Sequence, residues 1–141
     1  MKSYEASSTI EAAPETVWKI LVDGRSYTDW DSGVLALEGE IALGERLKVT
    51  SEANPGRAFP VRVTEVEPAR SMRWSGGMPL GLFKGERTFT LRPRGDGETE
   101  FVLREEYSGP MLGLIWRSMP DLGPSFQKFA RGLKERAEHD A

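Results

Sequence analysis

Cysteine is absent from the 141-residue sequence, and histidine occurs once, as His139. The first absence excludes a disulfide framework, a thiol nucleophile and a thiolate metal site. The second leaves almost nothing for a zinc centre, which needs several nitrogen or sulfur ligands. No run approaches the roughly 20 apolar residues of a membrane-spanning helix. The opening Met1-Lys2-Ser3-Tyr4-Glu5 lacks the apolar core of a secretory signal. The net charge is −3, and no block of Lys and Arg interrupts it. That argues against nucleic acid as a partner, because phosphate contacts need a concentrated basic surface. The expectation is a cytoplasmic protein with no transmembrane segment, no metal and no cofactor.

What is present points to many tight connections. Fifteen glycines and nine prolines make up about 17 per cent of the chain, below the roughly 25–30 per cent typical of disorder. The length suits one domain, 1–141, large enough to bury a core unaided. Lys2 to Glu11 reads as a strand, with Tyr4, Ala6, Ser8 and Ile10 on one side. Ala12-Ala13-Pro14-Glu15 starts a helix, with Pro14 at the first helical position and Glu15 at the positive end of its dipole. Val17, Trp18, Ile20 and Leu21 form its stripe, and Asp23-Gly24 stops it. Ser26 to Asp31 makes a second short helical turn.

Strands then follow one another: Val34–Glu40, Arg46–Glu52, Arg57–Val66, one marked by Met72 and Trp74, one from Phe83 to Arg92, and Thr99–Ser108. Asn54-Pro55-Gly56 predicts a turn with Gly56 at positive φ. Pro60 predicts an edge position or a bulge. Short connections imply an antiparallel sheet, and seven twisted strands curl. Near the end, Phe126, Phe129, Leu133 and Ala137 recur at spacings of three, four and four, one face of a helix. That face needs an apolar surface, which only the sheet supplies. The fold class is therefore α+β: a helix-grip fold with a seven-stranded curved antiparallel sheet, two short helices after the first strand, and a long C-terminal helix in the concave face.

Alternation on the last two strands places two charges inward. Arg87 falls with Phe83, Phe89 and Leu91, and Glu105 with Phe101, Leu103 and Tyr107. Counting back from the Arg94-Gly95-Asp96-Gly97 hairpin sets Arg87 nearly opposite Glu105, within cross-strand reach of about 5 Å. Such a pair either fixes the sheet as a buried ion pair or leaves Arg87 to anchor a ligand's carboxylate or hydroxyl. Trp30, Trp74 and Trp116 suit either core packing or a pocket lining. Tyr27, Asp29 and Asp31 suit either helix-end hydrogen bonding or acid–base work at a pocket mouth. No nucleophile–base pair, phosphate loop or metal cluster is visible, so no residue is assigned a catalytic role.

Ile10-Glu11-Ala12-Ala13-Pro14-Glu15-Thr16-Val17-Trp18 and Tyr27-Thr28-Asp29-Trp30 resemble the opening of START-like domains, also called SRPBCC or polyketide cyclase/dehydrase-like proteins. Leu43-Gly44-Glu45-Arg46-Leu47, Trp74-Ser75-Gly76, Glu105-Glu106-Tyr107-Ser108-Gly109 and Leu133-Lys134-Glu135-Arg136-Ala137-Glu138 continue the resemblance in the same order. It covers essentially the whole chain. One departure stands out: the terminal helix of such proteins usually runs unbroken, whereas Pro120 and Pro124 should interrupt this one.

The resemblance implies a deep pocket between sheet and helix for a small hydrophobic or amphipathic molecule, lipid-like or polyketide-like. Residues expected to line it are Trp30, Leu47, Phe59, Val61 and Trp74, then Phe83, Arg87, Phe89, Leu103, Glu105 and Tyr107, and finally Trp116, Met119 and Phe126. The expected function is ligand binding, non-enzymatic or only weakly catalytic. Two alternatives stand beside it: a cyclase or dehydratase using the same pocket with Arg87, Glu105 and Tyr107, and an accessory protein that reaches a partner protein through the apolar segment near Trp116.

Overall fold

Strand β1 (Lys2–Ile10) turns Ala6 and Ile10 inward and leaves Lys2, Ser3 and Glu5 to solvent in the computed structural model, which describes residues 2–141. Helix α1 (Pro14–Leu21) follows, with Pro14 in its first turn and Val17, Ile20 and Leu21 buried. A 3-10 turn spans Gly24–Asp29. The remaining strands are β2 (Val34–Glu38), β3 (Arg46–Ser51), β4 (Phe59–Glu67), β5 (Ser71–Gly77), β6 (Lys84–Pro93) and β7 (Thr99–Ser108). They form one seven-stranded sheet in the order β1-β7-β6-β5-β4-β3-β2, antiparallel throughout. Only β1 leaves chain order, crossing over α1 and the whole meander to pair with β7. Helices α2 (Leu112–Ser118) and α3 (Gly123–Asp140) close the chain. Among the described residues, no helix is long and apolar enough to cross a membrane.

The interruption expected at the prolines falls at Met119–Leu122. Met119 leaves helical geometry, and α3 restarts with Pro124 in its first turn, where a missing N–H costs nothing. Asp121 Oδ1 accepts the Gly123 N–H at 2.9 Å, which satisfies one of the free donors at the new helix start. The two helices are held very differently. Helix α2 has no fully buried residue. Helix α3 buries Phe126, Phe129, Ala130, Leu133 and Ala137, and polar contacts fix its length. Ala130 O accepts from Ser8 Oγ at 3.0 Å. Lys134 Nζ donates to Thr9 O at 2.7 Å, and Glu138 Oε2 accepts the Glu11 N–H at 2.9 Å.

Two local expectations are corrected. Gly56 does not take a positive φ; Arg57 N–H closes the turn onto Asn54 O at 3.3 Å with Pro55 and Gly56 between them, so the turn is not type II. Pro60 lies neither at a sheet edge nor at a bulge. β4 is internal, and its bulge falls between Val63 and Glu65. The proline is tolerated because it sits at the start of β4, where the ladder with β5 begins only at Val61.

One close approach sets where α3 lies. A Cβ added at Gly132 would stand 2.1 Å from the backbone oxygen of Asp31, in the loop that follows the 3-10 turn. No other residue type allows helix and loop to touch this closely. On helix propensity alone, Gly132→Ala would stabilise α3 by about 1 kcal/mol. The obstacle is backbone rather than a flexible side chain, so the clash should outweigh this gain. Urea unfolding is expected to show a net loss of about 1–3 kcal/mol; an unchanged or more stable variant would mean that the loop yields freely.

Candidate functional site

Strand register lays a row of inward side chains across five strands. Tyr4 pairs with Glu105, Glu105 with Arg87, Arg87 with Trp74, and Trp74 with Val63. The hairpin closes with Arg94 N–H on Glu98 O at 2.9 Å, and the ladder carries that register back to Arg87 opposite Glu105. Arg87 Nε donates to Glu105 Oε1 at 2.8 Å, with side chains 25% and 16% exposed. The guanidinium also lies over the Phe126 ring, 4.9 Å from its centroid, a favourable cation–π placement. Burial acts to lower the Arg87 pKa, but the charge of Glu105 and the neighbouring phenols outweigh it, and the guanidinium is held above its ordinary value.

The rows on either side differ in character. Deeper in the sheet, Ala6, Leu103, Phe89 and Met72 make a fully buried apolar row. Toward the end near α2, the row runs Tyr107, Gly85, Gly76, Val61 and Leu47. Two facing glycines there leave the floor without side chains. The Tyr107 ring covers that floor, 3.5 Å from where a Gly85 Cβ would sit. Over this end, Tyr4 stacks on Trp116 with centroids 5.4 Å apart. Tyr107 meets Trp116 edge-on at 5.6 Å and Phe83 face-on at 6.0 Å. The deep end is filled by Trp74 against Phe89 at 4.7 Å and Trp30 against Phe129 at 5.1 Å.

Three buried polar atoms in this interior have no hydrogen-bond partner among the described residues: Trp30 Nε1, Trp74 Nε1 and Tyr107 Oη. Each is a donor, and a buried donor left unpaired costs about 1–3 kcal/mol. Burial first, and then the charge of Glu105, push the Tyr107 phenol well above its ordinary value of 10.0. Tyr27 behaves otherwise. It is fully buried, and its hydroxyl donates to Leu21 O at 2.5 Å, so it is no acid or base at a mouth. Asp31 is bound to Lys128 at 3.2 Å.

Open space inside is small. A cleft of about 60 Å³ lies between Arg87, Leu103, Leu122, Ser125, Phe126 and Phe129 on one side and Ser32, Gly33, Val34, Val49, Ser51 and Ala53 on the other. That is room for a few water molecules, whereas ligand pockets usually measure about 300–1,000 Å³. At this cleft the deep pocket implied by the resemblance is closed, with Phe126 and Phe129 among the side chains that occupy it. A wider depression of about 130 Å³ lies on the outer face of the sheet among Arg73, Glu86, Thr88, Arg104 and Glu106. It is a lattice of exposed ion pairs rather than an enclosed site.

Of the residues expected at the site, Trp30, Trp74, Arg87, Phe89, Leu103, Glu105, Tyr107, Trp116 and Phe126 converge on this interior. Leu47 and Val61 extend its glycine-floored row. Phe83 stacks at the α2 end, and Met119 is half-buried in the link between α2 and α3. Phe59 stands apart: it opens β4, is 40% exposed, and lies under the Arg57 guanidinium at 5.1 Å. Helix α3 packs chiefly against β1 and does not cover that end of the sheet. Sequence reading missed Tyr4 and the cleft residues Ser32, Val49 and Ser51. Alternation had turned Tyr4 inward, but β1 and β7 share no hairpin from which its pairing with Glu105 could be counted.

The sequence matches, over residues 1–138, the family described as polyketide cyclase/dehydrase and lipid transport. No curated protein sequence matches the chain. Several solved structures share its fold at low identity. A START superfamily protein from Mycobacterium smegmatis superposes with a TM-score of 0.74 at 17% identity, covering 99% of each chain. The Zhui aromatase/cyclase from a Streptomyces species gives 0.75 at 15%, covering 98% of this chain and 94% of the other. A point mutant of norcoclaurine synthase from Thalictrum gives 0.74 at 18%, covering 99% and 96%.

Two outcomes follow from the geometry. Arg87→Leu leaves Glu105 inward and unpaired, and should destabilise the fold by roughly 3 kcal/mol in denaturant titration. Arg87→Leu with Glu105→Leu should recover most of that; a double variant no better than the single would mean that the pair contributes more than mutual neutralisation. The second outcome concerns alkali. Tyr27 and Tyr107 both hold their protons more tightly folded than unfolded. Their contribution is whole below the ordinary value of 10.0 and is lost as pH rises beyond it, when the unfolded chain ionises first. The melting temperature should fall above that pH, and fall less steeply in Tyr107→Phe.

Proposed function

Because the chain belongs to the polyketide cyclase/dehydrase and lipid transport family of START-like proteins, we propose that it binds one small apolar or amphipathic molecule between the sheet and α3. The observation that carries this reading is the pair of unpaired indole donors, Trp30 Nε1 and Trp74 Nε1, buried among aromatic rings, with the Tyr107 hydroxyl beside Glu105 close by. A ligand with a flat or aliphatic body and oxygen acceptors would satisfy them, and Arg87 offers a further donor for a carboxylate or hydroxyl. Admission needs the interior to widen. Helix α2, with no fully buried residue, is the wall that opens at least cost.

A second reading, an enzyme of the cyclase or dehydratase kind, draws support from one feature. Tyr107 stays protonated beside the Arg87–Glu105 pair, so it suits hydrogen-bond donation to a substrate carbonyl rather than proton abstraction. Shape and such a donor can be enough to cyclise a reactive chain.

An apolar naphthalene-type fluorescent probe should bind with about one site per chain and change tryptophan emission. Val49→Trp, which fills the cleft from a half-buried position, should abolish binding once shown to be folded, since overpacking can itself cost about 1–3 kcal/mol. Native mass spectrometry of the purified protein would identify a retained ligand. A folded Val49→Trp variant that binds the probe as well as the parent does would move the site out of this cleft.

A further inference from the structure

We propose that Lys128 is a latch: its bridge to Glu52 holds the turn after β3 against α3, and breaking that bridge opens a second way into the interior, apart from α2. What the opening admits rests on the ligand-binding reading; the latch itself does not. Lys128 Nζ lies 2.7 Å from Glu52 Oε2 and 3.2 Å from Asp31 Oδ1. Each of the three residues adjoins the cleft in sequence. Asp31 precedes Ser32, Glu52 stands between Ser51 and Ala53, and Lys128 precedes Phe129, and all four of these neighbours line the cleft. Its floor, Leu103 and Phe126, is buried, whereas Gly33, Ser51, Ala53 and Ser125 are half-buried and form its mouth. The bridge spans the open side.

The two carboxylates are not equivalent. Asp31 belongs to the loop that α3 touches at Gly132, where backbone fixes the approach. Glu52 opens a turn, 52–58, in which no residue is buried. One main-chain bond, Glu52 N–H to Gly33 O at 2.8 Å, ties the start of that turn to the loop. Among the described residues, no other side-chain hydrogen bond or ion pair joins α3 to β3 or to the turn. The next polar tie on this side, Arg136 Nη1 to Asp29 O at 3.4 Å, lies about two turns further along the helix. Asp31 thus steadies the ammonium, and Glu52 is the partner that it can release. The Lys128 side chain is 27% exposed and that of Glu52 49% exposed, so water and salt compete for the bridge. A contact this weak yields readily, as an entrance requires.

The test is amide exchange of the full chain, parent against Lys128→Met and Lys128→Arg. At low salt, exchange over residues 51–54 should be about three- to fivefold faster in Lys128→Met and close to the parent's in Lys128→Arg. At about 1 M salt, where charges act over only about 3 Å, the parent should approach Lys128→Met. The β6–β7 ladder should exchange alike in all three proteins. In stopped-flow mixing with an uncharged naphthalene probe, Lys128→Met should raise the association and dissociation rates together and leave the affinity nearly unchanged, because the latch closes the free and the loaded protein alike. Exchange over 51–54 that Lys128→Met leaves unchanged, or raises equally in the β6–β7 ladder, overturns the latch. Faster local exchange with unaltered probe rates overturns this turn as a way in. A probe that binds none of the three proteins counts against the ligand-binding reading, and exchange alone then decides the latch.

Discussion

The apolar face of α3 against the inner side of the sheet is the contact on which the rest depends. Phe126, Phe129, Leu133 and Ala137 bring to the sheet the surface that Ala6, Phe89, Phe101 and Leu103 need in order to leave water. A sheet of this curvature has an apolar side too large to remain exposed, and a helix of this length has too little helix propensity of its own to stand free. Each element is therefore conditional on the other. The polar ties from Ser8, Lys134 and Glu138 then select one axial position for the helix among several that hydrophobic packing alone would accept.

Within that sandwich, the Arg87–Glu105 pair divides the interior into two zones. On its deep side the inward residues are mostly apolar and buried, and the polar ones, Ser8 and Thr99, each donate to a main-chain oxygen. On its outer side the floor is glycine, and the walls are tyrosine and tryptophan. A buried ion pair is weak as a source of stability, since desolvation offsets most of its attraction. Its role is positional: it keeps two charges inward, next to the Tyr107 phenol and two indoles that have no partner. That combination is costly for a fold to carry unless the interior at times meets something other than itself.

Much of this was legible from residues. Period-two alternation and one tight hairpin put Arg87 opposite Glu105, because pairing across a short turn is a matter of counting. The spacing of Phe126, Phe129, Leu133 and Ala137 identified the face of α3, and Pro120 and Pro124 bracketed the break before it. Other features had no local signal. Tyr4 meets Glu105 across strands that lie at opposite ends of the chain, a pairing set by sheet closure rather than by any turn. Pro60 misled because its edge-strand meaning depends on which neighbour pairs at that residue, and not on the strand as a whole. For the buried hydroxyl of Tyr27 the sequence allows either an acid–base or a structural role, and only its partner, a main-chain oxygen, decides for the second. Whether the interior is open or filled depends on side-chain volumes summed across six elements, which no single stretch encodes.

The contact of Gly132 with Asp31 has a further consequence. It clamps the C-terminal half of α3 to the loop after the 3-10 turn, while α2 on the far side of the proline break contributes no fully buried residue. Under the proposed ligand-binding reading, folding and selectivity fall to different parts of the chain. Substitutions, insertions or a wholesale exchange of α2 could retune what enters the protein while leaving its nucleus of packing untouched. The fold offers a modular front end on a fixed frame, and a lineage or a designer could diversify one without renegotiating the other.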